Sequence, residues 1–348
     1  MIDDAQRTVR DLGEFGLIDA LRAALPPETV AGDRLRLGIG DDAAIWRPTP
    51  DAEQVITTDS LVEGVHFRLD WTDWASLGHK TLAVNLSDIA AMGAWPRLAV
   101  LSLGLRGDER VADLERFYHG LGRLAAATGT LIAGGDIVAS PTALTLHLTA
   151  LGDLPDGQAL TRAGAQAGDL IAVSGTLGAA AAGLRLLSLA PASPQRRATT
   201  ALALIASHLR PEPRLRLGHV LRQHGASAAM DLSDGLLGDL PKMLQASQVA
   251  AEIDATAIPV AAAVRALFPD DWFALATRGG EDYELLFTAA PPVMATIVSE
   301  AAVIGATVTT IGAVQPQVPG HPRLTLRQPS GEAQAIEGGA FDHFRAGY

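Results

Sequence analysis

The spacing of apolar and polar positions predicts alternating strands and helices through the first half of the chain. Apolar residues recur every third or fourth position in some stretches, which is typical of a helix, and every second position in others, which is typical of a strand. The predicted helices cover residues 15–25, 74–92 and 111–128, and the predicted strands cover residues 42–47, 55–59, 98–105, 130–133 and 142–151.

The second half shows the same alternation after a break. The turn-forming residues Gly152–Gly157 separate the halves, so we expect an N-terminal domain over 1–152 and a C-terminal domain over 153–348. Interleaved elements in both halves predict an α/β or α+β class. The predicted strands cover residues 170–174, 226–231, 250–253, 284–289 and 307–313, and the helices cover 177–189, a pair within 195–224, 236–246, 260–267 and 292–302.

Composition narrows the classes of protein. With 348 residues, 48% of them hydrophobic and 19% charged, the chain can form a folded core. The net charge of -12 and the lack of any lysine or arginine run argue against a nucleic-acid partner. The absence of cysteine excludes disulfides, zinc–thiolate sites and thiol catalysis. No apolar run reaches the roughly 18 residues that span a bilayer, and the acidic N-terminus does not read as a signal peptide, so we expect a cytoplasmic protein without a membrane partner.

Acidic and hydroxyl side chains concentrate between Leu37 and Phe67. The strands predicted over 42–47 and 55–59 are expected to pair, which would bring Asp42 and Asp59 together at neighbouring strand ends. Converging carboxylates repel each other unless a cation lies between them, and oxygen ligands alone favour a hard ion such as Mg²⁺. The stretch therefore predicts a magnesium site that handles phosphate groups.

Further acidic residues lie at the ends of predicted elements or within predicted helices. For each of them, a purely structural role is an alternative to a role in binding a ligand. Asp88 interrupts an apolar helical stretch, which indicates either a polar stripe or a partner for its charge. Asp136 follows two glycines, which fits a tight turn or a close approach to a ligand. Ser233 or Asp234 is placed to cap the helix that follows. The turn Gly279–Glu284 carries three acids and fits either a ligand contact or a polar hairpin.

Lysine is scarce for a protein that handles phosphate, whereas arginine is plentiful but scattered. The only lysines are Lys80 and Lys242, and no G-x-x-x-x-G-K-[ST] loop occurs. The turn Gly175–Gly178 between a strand and a helix is a weak phosphate-loop candidate without that lysine. Any bound triphosphate would therefore be neutralised mainly by metal ions and arginine.

Taken together, these motifs resemble one family, thiamine-monophosphate kinase, in the superfamily of aminoimidazole ribonucleotide synthetase. The resemblance covers residues from about 14 to 344 and rests on the stretches GIGDDAA, TTDSLVEGVHF, KTLAVNLSDIAAMGAWP, GGDIV, LTRAGAQAGD, DLSDGL, GGEDYEL and FDHF. It implies a two-domain fold, with an N-terminal mixed sheet that forms a barrel-like dimer interface and a C-terminal α/β layer domain. It also implies a homodimer that uses ATP and several Mg²⁺ ions to phosphorylate thiamine monophosphate by in-line transfer.

The resemblance assigns roles to individual residues. No side chain is assigned as a general base, since the phosphate acceptor is already anionic at neutral pH. The implied metal ligands are Asp42, Thr57, Thr58, Asp59, Asp88, Asp136, Asp231 and Asp234. The implied ATP contacts are Tyr118, Gly135, Asp136, Arg162 and Ser233, and the implied substrate contacts are His66, Glu281 and, in place of an aromatic residue near the C-terminus, Phe341.

Two other functions stay open from the sequence. The chain could be another ATP-using member of the superfamily, such as aminoimidazole ribonucleotide synthetase, or a non-catalytic nucleotide-binding module. Selenophosphate synthetase and the carbamoyl dehydratase of hydrogenase maturation need a cysteine or selenocysteine, which this chain lacks.

Overall fold

The computed structural model describes residues 6–336, which form two compact units. The first unit extends to Gly157 without the segment Ala90–Ala94, and the second contains that segment and the chain from Gln158 onward. The division predicted between residues 152 and 153 stays a prediction. In the described residues no helix is both long and apolar enough to cross a membrane.

A mixed sheet forms the centre of the first unit. The strands and helices of this part of the chain are β1 (Leu35–Leu37), β2 (Ile45–Trp46), β3 (Ala52–Val62), β4 (Trp95–Leu105), β5 (Leu131–Ala139), β6 (Thr145–Pro155), α1 (Val9–Leu12), α2 (Glu14–Ala23), α3 (Trp74–Ala91) and α4 (Val111–Thr128), with a 3₁₀ turn at Pro27–Thr29. The sheet order is β3-β6-β4-β5, and only β4 and β5 run parallel. The predicted mixed sheet is therefore confirmed.

The predicted pairing of the two strands beside the first acids is wrong. Strand β2 pairs with β1 as a separate two-stranded ribbon, whereas β3 pairs along its whole length with β6. Both β3 and β6 have eleven residues, so β6 can satisfy every position of β3, while β2 has only two residues. Asp42 and Asp59 consequently do not lie at the ends of paired strands.

Helices α3 and α4 pack closely through two glycines. A side chain at Gly78 would place its Cβ 1.9 Å from the carbonyl oxygen of Phe117, and one at Gly120 would lie 1.9 Å from that of Ala75. Each helix therefore contacts the other's backbone directly. Many apolar residues of both helices, such as Leu86 and Phe117, are fully buried.

The second unit contains a larger, mainly antiparallel sheet. Its described elements are β7 (Leu170–Ser174), β8 (Ala228–Asp231), β9 (Ala250–Asp254), β10 (Leu285–Ala289), β11 (Val308–Gln315), β12 (Leu324–Arg327), β13 (Ala333–Ile336), α5 (Ala179–Ser188), α6 (Pro194–Arg197), α7 (Ala201–Leu209), α8 (Leu215–His224), α9 (Leu236–Ser247), α10 (Ala262–Leu267), α11 (Trp272–Arg278) and α12 (Pro291–Val303). The order is β13-β12-β9-β11-β7-β10-β8, with β12 and β9 parallel. The predicted α/β class is confirmed, and the sequence did not predict α11, β12 or β13.

Candidate active site

Three of the predicted metal ligands come together in the first unit. Thr57 and Asp59 lie two positions apart on β3, so their side chains point to the same face of the sheet. The hydroxyl of Thr57 donates a hydrogen bond of 2.5 Å to Oδ2 of Asp88 on α3. Burial, and then the nearby charge of Asp88, raise the pKa of Asp59 to about 6. The carboxylates of Asp59 and Asp88 are neighbours, and the hydroxyl of Thr57 links β3 to α3. Together these groups form an oxygen-rich site that favours a cation.

Asp136 lies on the opposite edge of the same sheet. The register aligns Asp59 with Gly135 through the two intervening strands, and it aligns Asp136 with Ser60 in the next row. Three strand spacings separate the edge strands, which amounts to about 14 Å. Successive residues on a strand alternate between faces, so Asp136 points away from the face that carries Asp59. Within the first unit, the structure does not bring these two carboxylates together.

Gly135 has a structural reason to be glycine. A Cβ at this position would lie 2.0 Å from the carbonyl oxygen of Leu101 on the neighbouring strand. The close approach of the two backbones therefore excludes any side chain. The contact of Gly135 with a nucleotide stays a prediction.

Thr58 faces the same side of the sheet as Asp136. Its hydroxyl donates to the carbonyl oxygen of Leu148 at 3.1 Å and accepts from the hydroxyl of Thr149 at 3.1 Å. Thr57 and Thr58 therefore belong to opposite faces, although the sequence places them side by side. A single metal ion bound by Asp59 on the buried face could take Thr57 as a ligand more readily than the side chain of Thr58.

The remaining predicted residues of the first unit occupy three other places. Asp42 is exposed in the turn between β1 and β2, where its backbone N–H donates to Oδ1 of Asp41 at 2.8 Å. His66 follows β3, and its Nδ1 accepts a hydrogen bond of 3.1 Å from the N–H of Val62. Tyr118 is buried on α4, and burial raises the pKa of its hydroxyl.

Two loops with predicted functional residues pack against each other in the second unit. Glu281 donates its backbone N–H to the carbonyl oxygen of Ser233 at 2.8 Å, and Tyr283 does the same to Leu232 at 2.9 Å. A Cβ on Gly280 would lie 2.4 Å from the carbonyl oxygen of Ser233. The loop after β8 and the loop before β10 are thus fixed to one another through their backbones. Asp231, at the end of β8, is buried beneath them.

One carboxylate oxygen of Asp234 is already paired with the ammonium group of a lysine. The ammonium group of Lys242 lies 2.5 Å from Asp234 and 2.8 Å from Asp239, and the N–H of Asp234 donates to Asp239 at 2.8 Å. The side chain of Asp239 is fully buried. A metal ion at Asp234 would therefore have to share this carboxylate with Lys242 or use its other oxygen.

The predicted cap of the helix after β8 is wrong. Helix α9 begins after Gly235, which makes no side-chain cap, and neither Ser233 nor Asp234 accepts a bond from its first turn. Asp234 is held instead by Lys242, eight residues further along the chain. The Asp234 carboxylate therefore forms an ion pair with a residue of α9 and does not cap the helix.

Two acids of the Gly279–Glu284 turn point into the protein. Asp282 accepts hydrogen bonds from the backbone N–H groups of Gly178, at 2.7 Å, and Ala180, at 3.1 Å. Burial raises the pKa of Asp282 to about 7. The amide of Gly178, at the end of the phosphate-loop candidate, and that of Ala180 in the first turn of α5 thus already bind a carboxylate of the chain itself.

Glu284, the last acid of this turn and the second that points into the protein, is buried in an ion pair. Arg214 binds Glu284 with two nitrogens, at 2.8 Å and 2.5 Å, and the hydroxyl of Ser174 donates to the same carboxylate. No local pattern links Arg214 to this turn, since 70 residues separate Arg214 from Glu284. Of the three acids in this turn, only Glu281 is left as a candidate ligand contact, and its side chain is partly exposed.

Arg162 lies on an exposed loop beside the edge strand β8. The preceding residue, Thr161, accepts a backbone hydrogen bond from Ala229 at 2.9 Å, and the carbonyl oxygen of Arg162 accepts from the hydroxyl of Ser247 at 3.0 Å. The backbone of Arg162 is thus anchored while its side chain is exposed. Phe341 lies outside the described residues.

No ready-made metal cluster exists in the part of the chain that the structure describes. Between residues 6 and 336, no three histidine or acidic side chains lie close enough together to hold an ion. Predicted ligands instead occur in two smaller groupings, the Thr57–Asp59–Asp88 site and the triad that Asp234 forms with Asp239 and Lys242.

Sequence reasoning missed several residues that support these sites. Asp239 and Lys242 are three positions apart on a helix, a spacing that indicates a possible ion pair, so they could have been found. Asp282 follows the predicted substrate contact Glu281, but the amides that it binds, those of Gly178 and Ala180, are more than 100 residues away in the sequence. Arg214, which binds Glu284, and His208, which lies beside Glu281, are about 70 residues from those acids, so no local sequence pattern indicates either contact.

Comparison with known proteins identifies first a class and then a family. Residues 40–154 match the family described as AIR synthase related protein, N-terminal domain, and residues 166–318 match its C-terminal domain. The chain thus has the two-domain architecture of that class. A thiamine-monophosphate kinase from Bacillus subtilis (strain 168) is 33% identical over 334 residues, covering 96% of this chain and 100% of the relative.

Solved structures agree with this relationship. The crystal structure of thiamine-monophosphate kinase from Stenotrophomonas maltophilia K279a has 42% identity and a TM-score of 0.81, covering 93% of this chain and 98% of that one. The structure of AaThiL complexed with AMPPCP and TMP has 32% identity and a TM-score of 0.73, covering 96% and 98%. The chain therefore belongs to the thiamine-monophosphate kinase family.

Proposed function

We propose that this protein transfers the γ-phosphate of ATP directly to the phosphate of thiamine monophosphate, forming thiamine diphosphate and ADP. One observation carries the proposal: a relative of known structure, AaThiL, was solved with AMPPCP and TMP, and it aligns with this chain over almost its whole length. AMPPCP is an ATP analogue. The enzyme is accordingly a thiamine-phosphate kinase.

Magnesium is the proposed metal. The residues at the Thr57–Asp59–Asp88 site fit a hard cation, since all their donor atoms are oxygens and Asp88 lies close enough to Asp59 to raise its pKa. Bound Mg²⁺ would neutralise charge on the phosphate groups of the nucleotide. In the second unit, Asp231 and Asp234 are the proposed ligands, with Lys242 as an additional positive charge next to Asp234.

No general base is required from the protein. The acceptor is a phosphate monoester with a second pKa of about 6, so its attacking oxygen is anionic at neutral pH. The protein's task is to align two anions and spread the charge of the transferring group. Arg162 is the proposed arginine for that charge, because its backbone is anchored and its side chain is exposed.

Turnover by aspartate variants tests these assignments. We expect Asp59→Asn and Asp88→Asn to lose activity by at least on the order of 100-fold while the variants stay folded. The matched control is Asp156→Asn, which changes an exposed aspartate outside the proposed site. Formation of thiamine diphosphate and ADP would be followed across a range of Mg²⁺ and monovalent salt. Near-normal turnover by both site variants would refute the metal assignment.

A homodimer in the cytoplasm is the proposed working state. Both edges of the first unit's sheet carry exposed apolar residues on the face without helices, including Ile56 on β3 and Val138 on β5. A second copy of the chain could cover that face in a barrel-like arrangement. The location in the cytoplasm stays a prediction.

A further inference from the structure

The turn that carries the proposed substrate contact Glu281 has a strained backbone. Between residues 6 and 336, four residues other than glycine have a positive φ angle, and two of them flank Asp282: Glu281 at 67° and Tyr283 at 50°. A bulky side chain rarely adopts this left-handed region, because its Cβ crowds the neighbouring backbone. Such angles persist only where the surrounding contacts fix them. The conformation of the turn therefore depends on what holds it.

The carboxylate of Asp282 fastens this turn to helix α5. Its Oδ2 accepts a hydrogen bond of 2.7 Å from the N–H of Gly178, and its Oδ1 accepts one of 3.1 Å from the N–H of Ala180. Because the two oxygens bind two different amides, the carboxylate cannot rotate without breaking one of these bonds. The anchor thus lies between the two strained residues.

Helix α5 relies on the turn for this cap. Gly178 precedes the helix and has no side chain with which to cap it. A Cβ at Gly178 would lie 2.8 Å from the backbone of Ala276, so a residue with a capping side chain does not fit there. The N–H groups at the start of a helix need acceptors and favour negative charge. This explains why Asp282 points into the protein and not toward a ligand.

The other anchors of the turn act on a different neighbour. The backbone N–H groups of Glu281 and Tyr283 bond to carbonyl oxygens of the loop after β8, at 2.8 Å and 2.9 Å. Asp282 adds a link to α5, so the turn is held from two sides. Without that link, Glu281 and Tyr283 would relax toward negative φ angles, which would change the direction of the Glu281 side chain.

We propose that Asp282 is a positioning residue: by binding the start of α5, it holds Glu281 in the backbone conformation that binds thiamine monophosphate. This inference rests on the proposed function and on Glu281 as a substrate contact. Asp282 does not touch the reacting atoms, since both of its oxygens are bound within the chain. Its loss should therefore weaken binding of thiamine monophosphate while leaving kcat and the KM for ATP largely unchanged.

Two substitutions of Asp282 give a graded test. Asp282→Ala removes both acceptor oxygens, and we expect it to raise the KM for thiamine monophosphate about tenfold. Asp282→Asn keeps one acceptor oxygen and should raise that KM only about threefold. Leu186→Ala is the control on α5, because it removes a fully buried side chain and should lower the unfolding midpoint without changing the KM.

Each other outcome of these measurements contradicts the proposal. An unchanged KM for thiamine monophosphate in folded Asp282→Ala would overturn it, and so would an equal rise in the KM for ATP. A similar rise in Leu186→Ala would show that the KM merely follows stability. If neither variant of Asp282 folds, the residue supports the second unit as a whole and not the turn, and the proposal is equally overturned.

Hydrogen exchange measured by mass spectrometry tests the turn without any assay of activity. In Asp282→Ala, the peptide that contains residues 281–284 should exchange faster than in the unsubstituted protein, because the turn has lost its link to α5. The peptide that contains β7, in the core of the same unit, should keep its protection. Unchanged exchange at residues 281–284 would contradict the role of Asp282 as an anchor.

A coupling measurement tests whether Asp282 acts through Glu281. Glu281→Gln alone should raise the KM for thiamine monophosphate, and adding Asp282→Ala should change it little further. Independent, multiplying effects would overturn the proposal. Failure of the unsubstituted protein to make thiamine diphosphate would instead contradict the proposed function, while the exchange experiment would still decide whether Asp282 anchors the turn. The two failures are therefore distinguishable.

Discussion

At the scale of single residues, Asp59 has the most informative electrostatic environment. Burial and the adjacent Asp88 raise its pKa to about 6, well above the ordinary value of 3.8. In the folded, metal-free protein Asp59 therefore keeps its proton between these two values, whereas in the unfolded chain it loses it. The native state binds more protons in that window, so stability falls as the pH rises from about 4 to about 6 and is then level with respect to this group.

This fall in stability with rising pH leads to a prediction for Asp59→Asn in the metal-free protein. The variant should lack the decrease in unfolding free energy between about pH 4 and pH 6 that Asp59 contributes, and above pH 6 it should be more stable than the unsubstituted protein. Urea unfolding at a series of pH values, with chelator present, measures both quantities. Other acids titrate in both proteins, so the difference between the two curves is the result. An equal pH dependence in both would contradict the environment described for Asp59.

Residue identities were easier to predict from the sequence than residue partners. The motif stretches indicated Asp59, Asp88 and Asp234 as acids of interest, and the structure gives the first two a shared site. It gives Asp234 a lysine partner instead of a cap. His208 has a ring nitrogen 2.9 Å from the carboxylate of Glu281, 73 residues away (281 minus 208), and no local pattern links the two residues. Pairings of this kind depend on the tertiary fold, which spacing along the chain does not encode.

At the scale of elements, the crossing of α3 and α4 depends on two glycines. Because each would place a Cβ 1.9 Å from a backbone oxygen of the other helix, the helices must separate to admit any side chain. We predict that Gly78→Ala destabilises the protein by about 1–3 kcal/mol, as overpacking usually does.

The matched control for this prediction is Gly134→Ala on β5. A Cβ at Gly134 meets nothing within 4 Å, and this glycine does not have a positive φ angle. Alanine at this position should therefore leave the unfolding free energy almost unchanged or raise it slightly. Urea unfolding of the two variants gives the comparison. Equal stability of both variants would show that the helices can separate without cost.

Periodicity predicted the long elements well and the short ones poorly. Helix α4 and strand β7 have the predicted bounds, because each has a strong apolar pattern that packing reinforces. The short strands β12 and β13 and the helix α11 were not predicted, since four to seven residues carry little periodic signal. The error in strand pairing moved Asp42 away from Asp59, because register depends on partners that are distant in sequence.

At the scale of the whole molecule, the proposed dimer explains an exposed apolar face. Ile56 is 67% exposed and Val138 is 51% exposed, and the register places both on the face opposite to Asp59. We predict that the protein has twice the chain mass of 36.2 kDa in solution and that Ile56→Asp reduces it to the monomer mass.

Light scattering after size-exclusion chromatography measures these masses directly. Val303→Asp is the matched control, because Val303 is 78% exposed at the end of α12, in the second unit. That variant should keep the mass of the unsubstituted protein. A monomer mass for the unsubstituted protein would contradict the proposed assembly.

The measurement that tests the central claim most directly is the fate of the γ-phosphate of ATP. With ATP labelled at that phosphate, thiamine monophosphate and Mg²⁺, direct transfer predicts labelled thiamine diphosphate and unlabelled ADP in equal amounts. An enzyme that uses ATP only to activate a different substrate would release the label elsewhere. Label recovered as free phosphate, with no labelled thiamine diphosphate, would contradict the proposed function.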